Sequence, residues 1–260
     1  MKIKPIVTVM NFHALLRVDS SRRLAERQKL LEKEISALMD KIVNNRNIVL
    51  DKKTLKVNPR APELGIYFGS DHGFCGSINS EINARLLLND KEEKIVIGSR
   101  LNSPQKPLAA MKREEFEKGF PDIEKLLVLA VKKRKYSRIH LYYNHYYNMS
   151  RIEPVKKCIY PFTIGADNKD RNTEDYMIEG NFEELMENLA VTYLSCEVKI
   201  AAANSFASEN IIRQNVTSDS LDKIDELEME ETRAGRRQKN RIAFAKVIET
   251  YIRKRGNKHE

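Results

Sequence analysis

Residues 64–88 read LGIYFGSDHGFCGSINSEINARLLL and carry the most informative pattern in the chain. The opening LGIYFGS predicts a buried strand, because it is short and rich in β-branched and aromatic residues. The closing INSEINARLLL has the apolar spacing of a helix. A glycine-containing loop, GSDHGFCGSIN at 69–79, joins the two. The stretch therefore predicts one strand–loop–helix unit of an α/β domain.

Similar units follow along the chain. EKIVIGS, SRIHLYYNHYY and PVKKCIYPF predict further strands, and helical patterns in PLAAMKREEFEKGF and PDIEKLLVLAVKKR separate them. Alternating strands and helices are typical of a parallel sheet with crossover helices. We therefore expect an α/β domain over residues 64–162 and a loose connection over 163–181.

Long helices are predicted on both sides of this domain, in segments 1–56 and 182–256. In the first segment, Asp19-Ser20-Ser21 offers a cap or break, and a coiled-coil seam with alternating spacings of four and three follows it. The predicted seam residues are Leu24, Gln28, Leu31, Ile35, Leu38 and Ile42. The fold class is therefore α/β: a Rossmann-like domain inserted between N- and C-terminal helices that form an antiparallel coiled coil.

The second long helix contains two unusual stretches. Small residues in AAANSFA, at 201–207, allow another helix to approach closely. In EMEETRAGRRQKNR, at 228–241, Met229 and Ala234 are the only clearly apolar side chains. A polar stretch inside a longer helix must lie in water or among polar protein surfaces.

Composition restricts the function only broadly. Forty-six basic against 37 acidic residues give a net charge of +9, which favours an acidic partner such as nucleic acid, anionic lipid or an acidic protein surface. Three scattered cysteines, Cys75, Cys158 and Cys196, predict reduced thiols rather than a disulfide framework. No apolar run reaches the roughly 18 residues of a membrane span, so we expect a soluble or peripheral protein.

No catalytic, cofactor or metal site is predicted. The loop lacks the lysine of a phosphate-binding P-loop, and its glycines are not spaced as in a dinucleotide-binding fingerprint. Cys75 has no base placed against it by the sequence. His140 and His145 are an odd number of residues apart on a predicted strand, so they should point to opposite faces and share no metal.

Two other functions remain open from the residues alone. A basic coiled-coil protein could bind nucleic acid through Lys132–Lys135 and the C-terminal arginines, although no aromatic platform accompanies them. An α/β enzyme could bind an anion with the backbone of the loop between Gly73 and Gly76.

The sequence resembles the gamma subunit of F-type ATP synthases over residues 64–238. The strand-following loop of that family is matched by Ser70, Asp71, Gly73, Cys75, Gly76 and Asn79, with Phe74 in place of the usual leucine. The pair Tyr143-Asn144 ends a strand as in the family, and YLSCEVKIAAANSFASENIIRQN is similar to its Ser- and Glu-rich helix. Arg237-Gln238 falls where the family has an Arg-Gln pair.

The resemblance implies a non-catalytic rotor, without cofactors, in the central stalk of an ATP-synthesising or ATP-hydrolysing complex that transports hydrogen ions or another ion. Its partners would be alpha- and beta-type ATPase subunits, an epsilon-type subunit and the membrane c-ring, and not nucleic acid. It would lie peripherally at the cytoplasmic face of the cell membrane. Contacts with the alpha/beta head would come from Arg233, Arg236, Arg237 and Gln238.

The resemblance also gives the loop a structural role at the foot of the shaft. Gly73 and Gly76 would permit a tight backbone path, Asn79 would cap the following helix, and Cys75 would be a small buried packing residue.

The chain departs from the family pattern at both ends. KNRIAFAKVIE follows Arg237-Gln238 in place of the usual Ile-Thr-x-Glu type of ending, and the N-terminal signature is echoed only by Val9, Asn11 and Leu15. These departures would suit a divergent or specialised ATPase.

Overall fold

The computed structural model describes residues 3–43, 57–103, 106–161 and 180–256, with the side chains of Val43 and residues 251–256 left out. The end of the predicted N-terminal segment and nearly all of the connection predicted over 163–181 lie outside these ranges. The elements are α1 (Lys4–Val43), β1 (Glu63–Phe68), α2 (Ser80–Leu88), β2 (Glu92–Ile97), β3 (Ala109–Met111), a 3₁₀ turn (Arg113–Glu115), α3 (Phe116–Lys132), β4 (Arg138–Asn148), β5 (Arg151–Tyr160) and α4 (Phe182–Gly256).

The five strands form one sheet in the order β3-β2-β1-β4-β5. β1, β2 and β4 are parallel, as predicted, and β3, which was not predicted as a strand, is parallel to β2. β5 pairs antiparallel with β4. The connection between β4 and β5 is a tight turn, in which the Asn148 side-chain oxygen accepts hydrogen bonds from the backbone N–H groups of Ser150 and Arg151 at 2.9 and 2.7 Å. A turn this short can join only antiparallel neighbours.

Each face of the sheet is covered by helices. Leu64, Ile66 and Phe68 of β1 point to the face that packs against α3, the C-terminal part of α1 and α4. Tyr67, Val96 and Tyr142 point to the opposite face, where α2 covers them with Ile82 and Leu86. The predicted α/β domain between two long helices is confirmed.

The region from 107 to 132 differs from its prediction. Ala109–Met111 is a strand rather than part of a helix, and α3 runs through Pro121 instead of beginning there. The proline costs one helical hydrogen bond, because it has no N–H. Phe116, Phe120, Ile123 and Leu127 are all buried on one helical face, and this burial holds the helix together across the proline.

Helix α1 is continuous, so the break predicted at Asp19-Ser20-Ser21 is wrong. The Ser21 hydroxyl donates a 2.7 Å hydrogen bond to the carbonyl of Arg17, one turn earlier, and the side chain is buried. Bonding back to the preceding turn satisfies the hydroxyl without ending the helix.

The coiled-coil seam is present but displaced. Leu24, Leu31 and Leu38 are 43%, 48% and 45% exposed, so they do not belong to it. The residues that turn inward are buried or half-buried and keep the spacing of four and three: Ala14, Val18, Ser21, Ala25, Gln28, Glu32, Ile35, Met39 and Ile42. Gln28, Ile35 and Ile42 were predicted correctly, whereas each predicted leucine is replaced by the residue that follows it.

Helix α4 runs without interruption for 75 residues. Ala201, Ala202, Ala203, Ser205 and Ala207 are all at most 3% exposed, as the close packing of small residues predicts. Near the start of α1, Lys4 forms ion pairs with Asp225 and Glu228 of α4. Beyond this level α4 continues as a single helix in the described chain, and its polar stretch 228–241 is exposed apart from half-buried Gly235.

Candidate functional site

The loop between β1 and α2 is held by its own side chains. Asn79 occupies the N-cap position of α2 but makes no capping hydrogen bond, contrary to the prediction. Its Oδ1 instead accepts from the Ser70 N–H at 3.1 Å, and its Nδ2 donates to the Ser70 Oγ at 2.7 Å. The two ends of the loop are therefore clasped together across nine residues.

The backbone path of the loop depends on two left-handed residues. Gly76 has a φ of +54°, as its predicted role requires, and Phe74 has a φ of +59°. Phe74 is 61% exposed, so its ring is presented to the surroundings of the loop rather than packed beneath it. Gly73 was predicted to provide the same freedom, but its φ is not positive.

Asp71 connects the loop to two neighbouring segments. Its Oδ1 accepts the N–H of Ser99, after β2, and its Oδ2 accepts the N–H of Arg113, at the 3₁₀ turn, both at 2.8 Å. With both oxygens engaged by structural donors, this carboxylate is built to fix the loop rather than to act as a base.

Arg213 of α4 links the same loop to the long helix. Its guanidinium donates to the Glu209 carboxylate at 2.5 Å, to Asn210 Oδ1 at 2.9 Å and to the Cys75 sulfur at 3.3 Å. A longer contact of 3.4 Å reaches the carbonyl of Gly73. Arg213 is 6% exposed and Glu209 is 3% exposed, so the ion pair is buried at the joint between the α/β domain and the helix.

Cys75 is buried, as predicted, and it is not an activated thiol. Burial raises the pKa of the Cys75 thiol above its ordinary value, with the Arg213 charge opposing part of the rise. The thiol also donates to the carbonyls of His72 and Gly73 at 3.0 and 3.1 Å. A nucleophilic cysteine requires a lowered pKa, so this arrangement favours packing over catalysis.

A cavity of about 600 Å³ lies between α1, α3, α4 and the loop. Arg113 forms part of its wall, with its guanidinium 3.9 Å from the centre of the Phe206 ring. Burial lowers the pKa of Arg113 to about 10, although carboxylates at Glu209, Asp71 and Glu117 oppose the shift. The cavity is lined by charged side chains of both signs and by aromatic rings. The exposed side chain of Leu24 also lines it.

The residues predicted to touch a catalytic head lie far along α4 from this joint. Arg233, Arg236, Arg237 and Gln238 are all exposed on the single-helix part. Arg233 and Arg236 line a groove with Lys4 and the acidic residues Asp225 and Glu228. The groove carries charges of both signs, and exposed Met229 also lines it.

The basic cluster Lys132–Lys135 is partly neutralised. Lys132 ends α3, where a cation interacts favourably with the helix dipole. The Lys135 Nζ lies 3.5 Å from the Glu93 carboxylate and 4.9 Å from the Tyr136 ring centre. Lys132 and Lys135 therefore each have a structural role within the chain.

Sequence reasoning missed the roles of Arg113 and Arg213. For Arg213 the available signal was an arginine placed directly after NII in an otherwise apolar and small-residue helix. It also missed that Glu63, Glu92 and His140 lie close together.

In the described ranges, no helix is long and apolar enough to cross a membrane.

Comparisons with known proteins agree with one another. A family model described as ATP synthase matches residues 1–241. An ATP synthase gamma chain of Wolbachia pipientis (strain wPip) is 24% identical over 243 residues, which covers 82% of this chain and 82% of the relative. Another, from Clostridium botulinum (strain Hall), is 25% identical over 244 residues and covers 86% of this chain and 83% of the relative.

A solved structure has the same fold. The match is to the central stalk and c-ring of Tetrahymena thermophila mitochondrial ATP synthase, with 21% identity and a TM-score of 0.53. It covers 83% of this chain and 99% of that chain.

Proposed function

Because the chain belongs to the ATP synthase gamma chain family, we propose that it is the central-stalk rotor of an F-type ATP synthase or ATPase. The observation that carries the proposal is the polar stretch 228–241 of α4, which lies on the single-helix part and is exposed apart from half-buried Gly235. This part extends beyond the level where Lys4 meets Asp225 and Glu228. The polar stretch is roughly 20 Å long, at 1.5 Å per residue, and it is followed by exposed apolar side chains at Ile242, Phe244 and Val247.

The polar stretch 228–241 suits a shaft that turns inside a ring of subunits. An apolar surface would bind strongly to one orientation, whereas exposed charges exchange partners at a cost of about 1 kcal/mol or less each. Arg233, Arg236, Arg237 and Gln238 are the side chains we propose to contact alpha- and beta-type subunits. An asymmetric shaft in contact with three catalytic sites would shift the conformational populations of each site differently.

The other end of the molecule would transmit the torque. The α/β domain would form the foot, near the membrane c-ring and an epsilon-type subunit, and the coiled coil of α1 and α4 would stiffen the shaft. The loop of Ser70, Asp71 and Cys75 lies between these parts and is tied to both, through Arg113 and Arg213. We therefore assign it to a mechanical joint.

Several finer points belong to the same proposal. The chain would be non-catalytic, so that ATP chemistry occurs in its partners, and it would be peripheral to the cytoplasmic face of the membrane. The division into an N-terminal helix to residue 56, a foot over 64–162, a connection and a C-terminal helix from 182 is also proposed. Neither nucleic-acid binding nor an anion-binding enzyme is favoured by a specific observation.

Purification of the tagged chain from its native cells tests the proposal. At moderate salt we expect alpha- and beta-type ATPase subunits to elute in stoichiometric amounts, together with ATP hydrolysis, as identified by mass spectrometry and an activity assay. Elution of the chain alone, or with nucleic acid, would overturn the rotor assignment.

A further inference from the structure

Three side chains able to bind a metal meet near the amino ends of β1, β2 and β4. Glu63 and Glu92 begin neighbouring strands and are paired in register, and His140 is in register with Gly65 of β1. One possible ligand atom from each of Glu63, Glu92 and His140 lies within 4.8 Å of the other two. The three residues are far apart in sequence and are brought together only by the strand register.

His140 has unused binding capacity. The side chain is 7% exposed, and its Nε2 lies 3.3 Å from the Glu63 Oε2. Its Nδ1 is buried and has no hydrogen-bond partner in the described part of the chain. The imidazole can therefore carry its proton on Nδ1, which leaves the Nε2 lone pair beside Glu63 available to an ion; such an ion would not itself provide a partner for Nδ1.

Glu92 is held in place by hydroxyl donors. Its two oxygens accept hydrogen bonds from Tyr67 at 2.8 Å and Tyr142 at 2.9 Å. Asn89 donates in turn to both tyrosine hydroxyls, at 3.1 and 2.9 Å. Each carboxylate oxygen keeps a second lone pair, so Glu92 can bind an ion while the tyrosines orient it from outside.

Gly65 provides the room for this arrangement. A Cβ atom at Gly65 would lie 2.5 Å from the Glu92 Oε2 and 2.6 Å from the Tyr67 ring. Because residue 65 is a glycine, no side chain lies between Glu63 and Tyr67 on this face of the strand. The Glu92 carboxylate occupies that space.

Among the described residues, one neighbouring cation forms an ion pair with this cluster. Arg138 lies 3.6 Å from the Oε1 of Glu63, the oxygen that does not face His140. Lys94 donates to the carbonyl of Leu86 at 2.9 Å, and the Lys156 Nζ lies 5.4 Å from the Tyr142 ring centre. The carboxylates of Glu63 and Glu92 therefore both lie beside the His140 imidazole. Of these two carboxylates, Glu63 is also paired with the exposed Arg138.

We propose that Glu63, Glu92 and His140 bind one divalent ion of the zinc class. Imidazole nitrogen and carboxylate oxygen are common zinc ligands, at about 2.0–2.2 Å from the ion. Tetrahedral ligands at that distance are roughly 3.4 Å apart, close to the 3.3 Å between His140 and Glu63. Glu92 completes a set of three protein ligands, and water fills the remaining position.

The test is a zinc titration of the full-length chain, first treated with a chelator, by isothermal calorimetry. We expect one saturable site, with affinity at least about tenfold weaker in Glu63→Gln and in His140→Gln. His145→Gln is the matched control, because His145 is on the same strand but contacts Tyr143 and Tyr147 instead. It should bind zinc as tightly as the unmodified chain.

Two results would overturn the proposal: no saturable zinc binding by the unmodified chain, or equal affinity in Glu63→Gln and the control. Circular dichroism establishes that each variant is folded. Because the Glu63 side chain is 36% exposed, Glu63→Gln should fold normally and decides the question even if His140→Gln does not fold.

Discussion

Replacing Arg213 by alanine is expected to lower the free energy of unfolding of the chain by about 3–5 kcal/mol, because it leaves the buried Glu209 carboxylate without its cation. The substitution also removes donors to the Cys75 sulfur and the Gly73 carbonyl. The loop then loses its tie to α4. Urea unfolding followed by circular dichroism and tyrosine fluorescence measures the change.

An exposed pair on the other long helix provides the control. Arg22 and Glu26 have the same i, i+4 spacing at 3.4 Å, but their side chains are 55% and 64% exposed. Arg22→Ala should change the free energy of unfolding by about 0.5 kcal/mol or less. A similar, small effect of both substitutions would show that the buried pair is not what holds the joint.

A double variant shows whether the stability lost in Arg213→Ala comes from the unpaired, buried Glu209 carboxylate or from the lost hydrogen bonds of Arg213. Arg213→Met with Glu209→Leu removes both charges and keeps apolar volume, so it should recover much of the stability lost in Arg213→Ala. Lack of recovery would assign the loss to the contacts of Arg213 with Cys75 and Gly73.

The largest effect on activity is expected from replacing Arg233, Arg236 and Arg237 together by alanine. In the assembled complex, ATP hydrolysis coupled to ion transport should fall by roughly tenfold, since three exposed charge contacts of about 0.5 kcal/mol each are lost. The stability of the chain should hardly change, because these side chains are exposed on a single helix. Coupled hydrolysis and ion pumping by reconstituted vesicles are the measurements.

The corresponding triple lysine variant keeps the charges and is the matched control. If contacts are exchanged as the shaft turns, lysine should retain most of the coupled activity. Unchanged activity of the alanine variant would remove these arginines from the mechanism.

The order of strands and helices could be predicted because local patterns determine it, but the seam register could not. In α1, Leu24, Leu31 and Leu38 and the residues that follow them both repeat every seven positions. Hydrophobicity favours the leucines, yet Ala25, Glu32 and Met39 turn inward. Leu24 instead lines the cavity beside the α/β domain, so tertiary packing outside the helix pair decides which series is used.

In the candidate sites too, features set by neighbouring residues could be predicted, whereas contacts between residues far apart in the sequence could not. The loop motif was visible in neighbouring residues, and the burial of Cys75 was implied by the family resemblance. The partner of Cys75, Arg213, is 138 residues away, and the pairing of Glu63 with Glu92 depends on strand register. Asn79 was misassigned for a related reason: its side chain can cap a helix or clasp Ser70, and only the folded loop selects the second.

The most direct test of rotation attaches a cleavable photo-cross-linker to the thiol introduced by Arg237→Cys, in a Cys158→Ser background that removes the exposed native thiol. Illumination of the purified complex should link the chain to an alpha- or beta-type subunit and stop ATP hydrolysis, and reductive cleavage of the linker should restore it. A cross-link to such a subunit that leaves hydrolysis at full rate would contradict the rotor account.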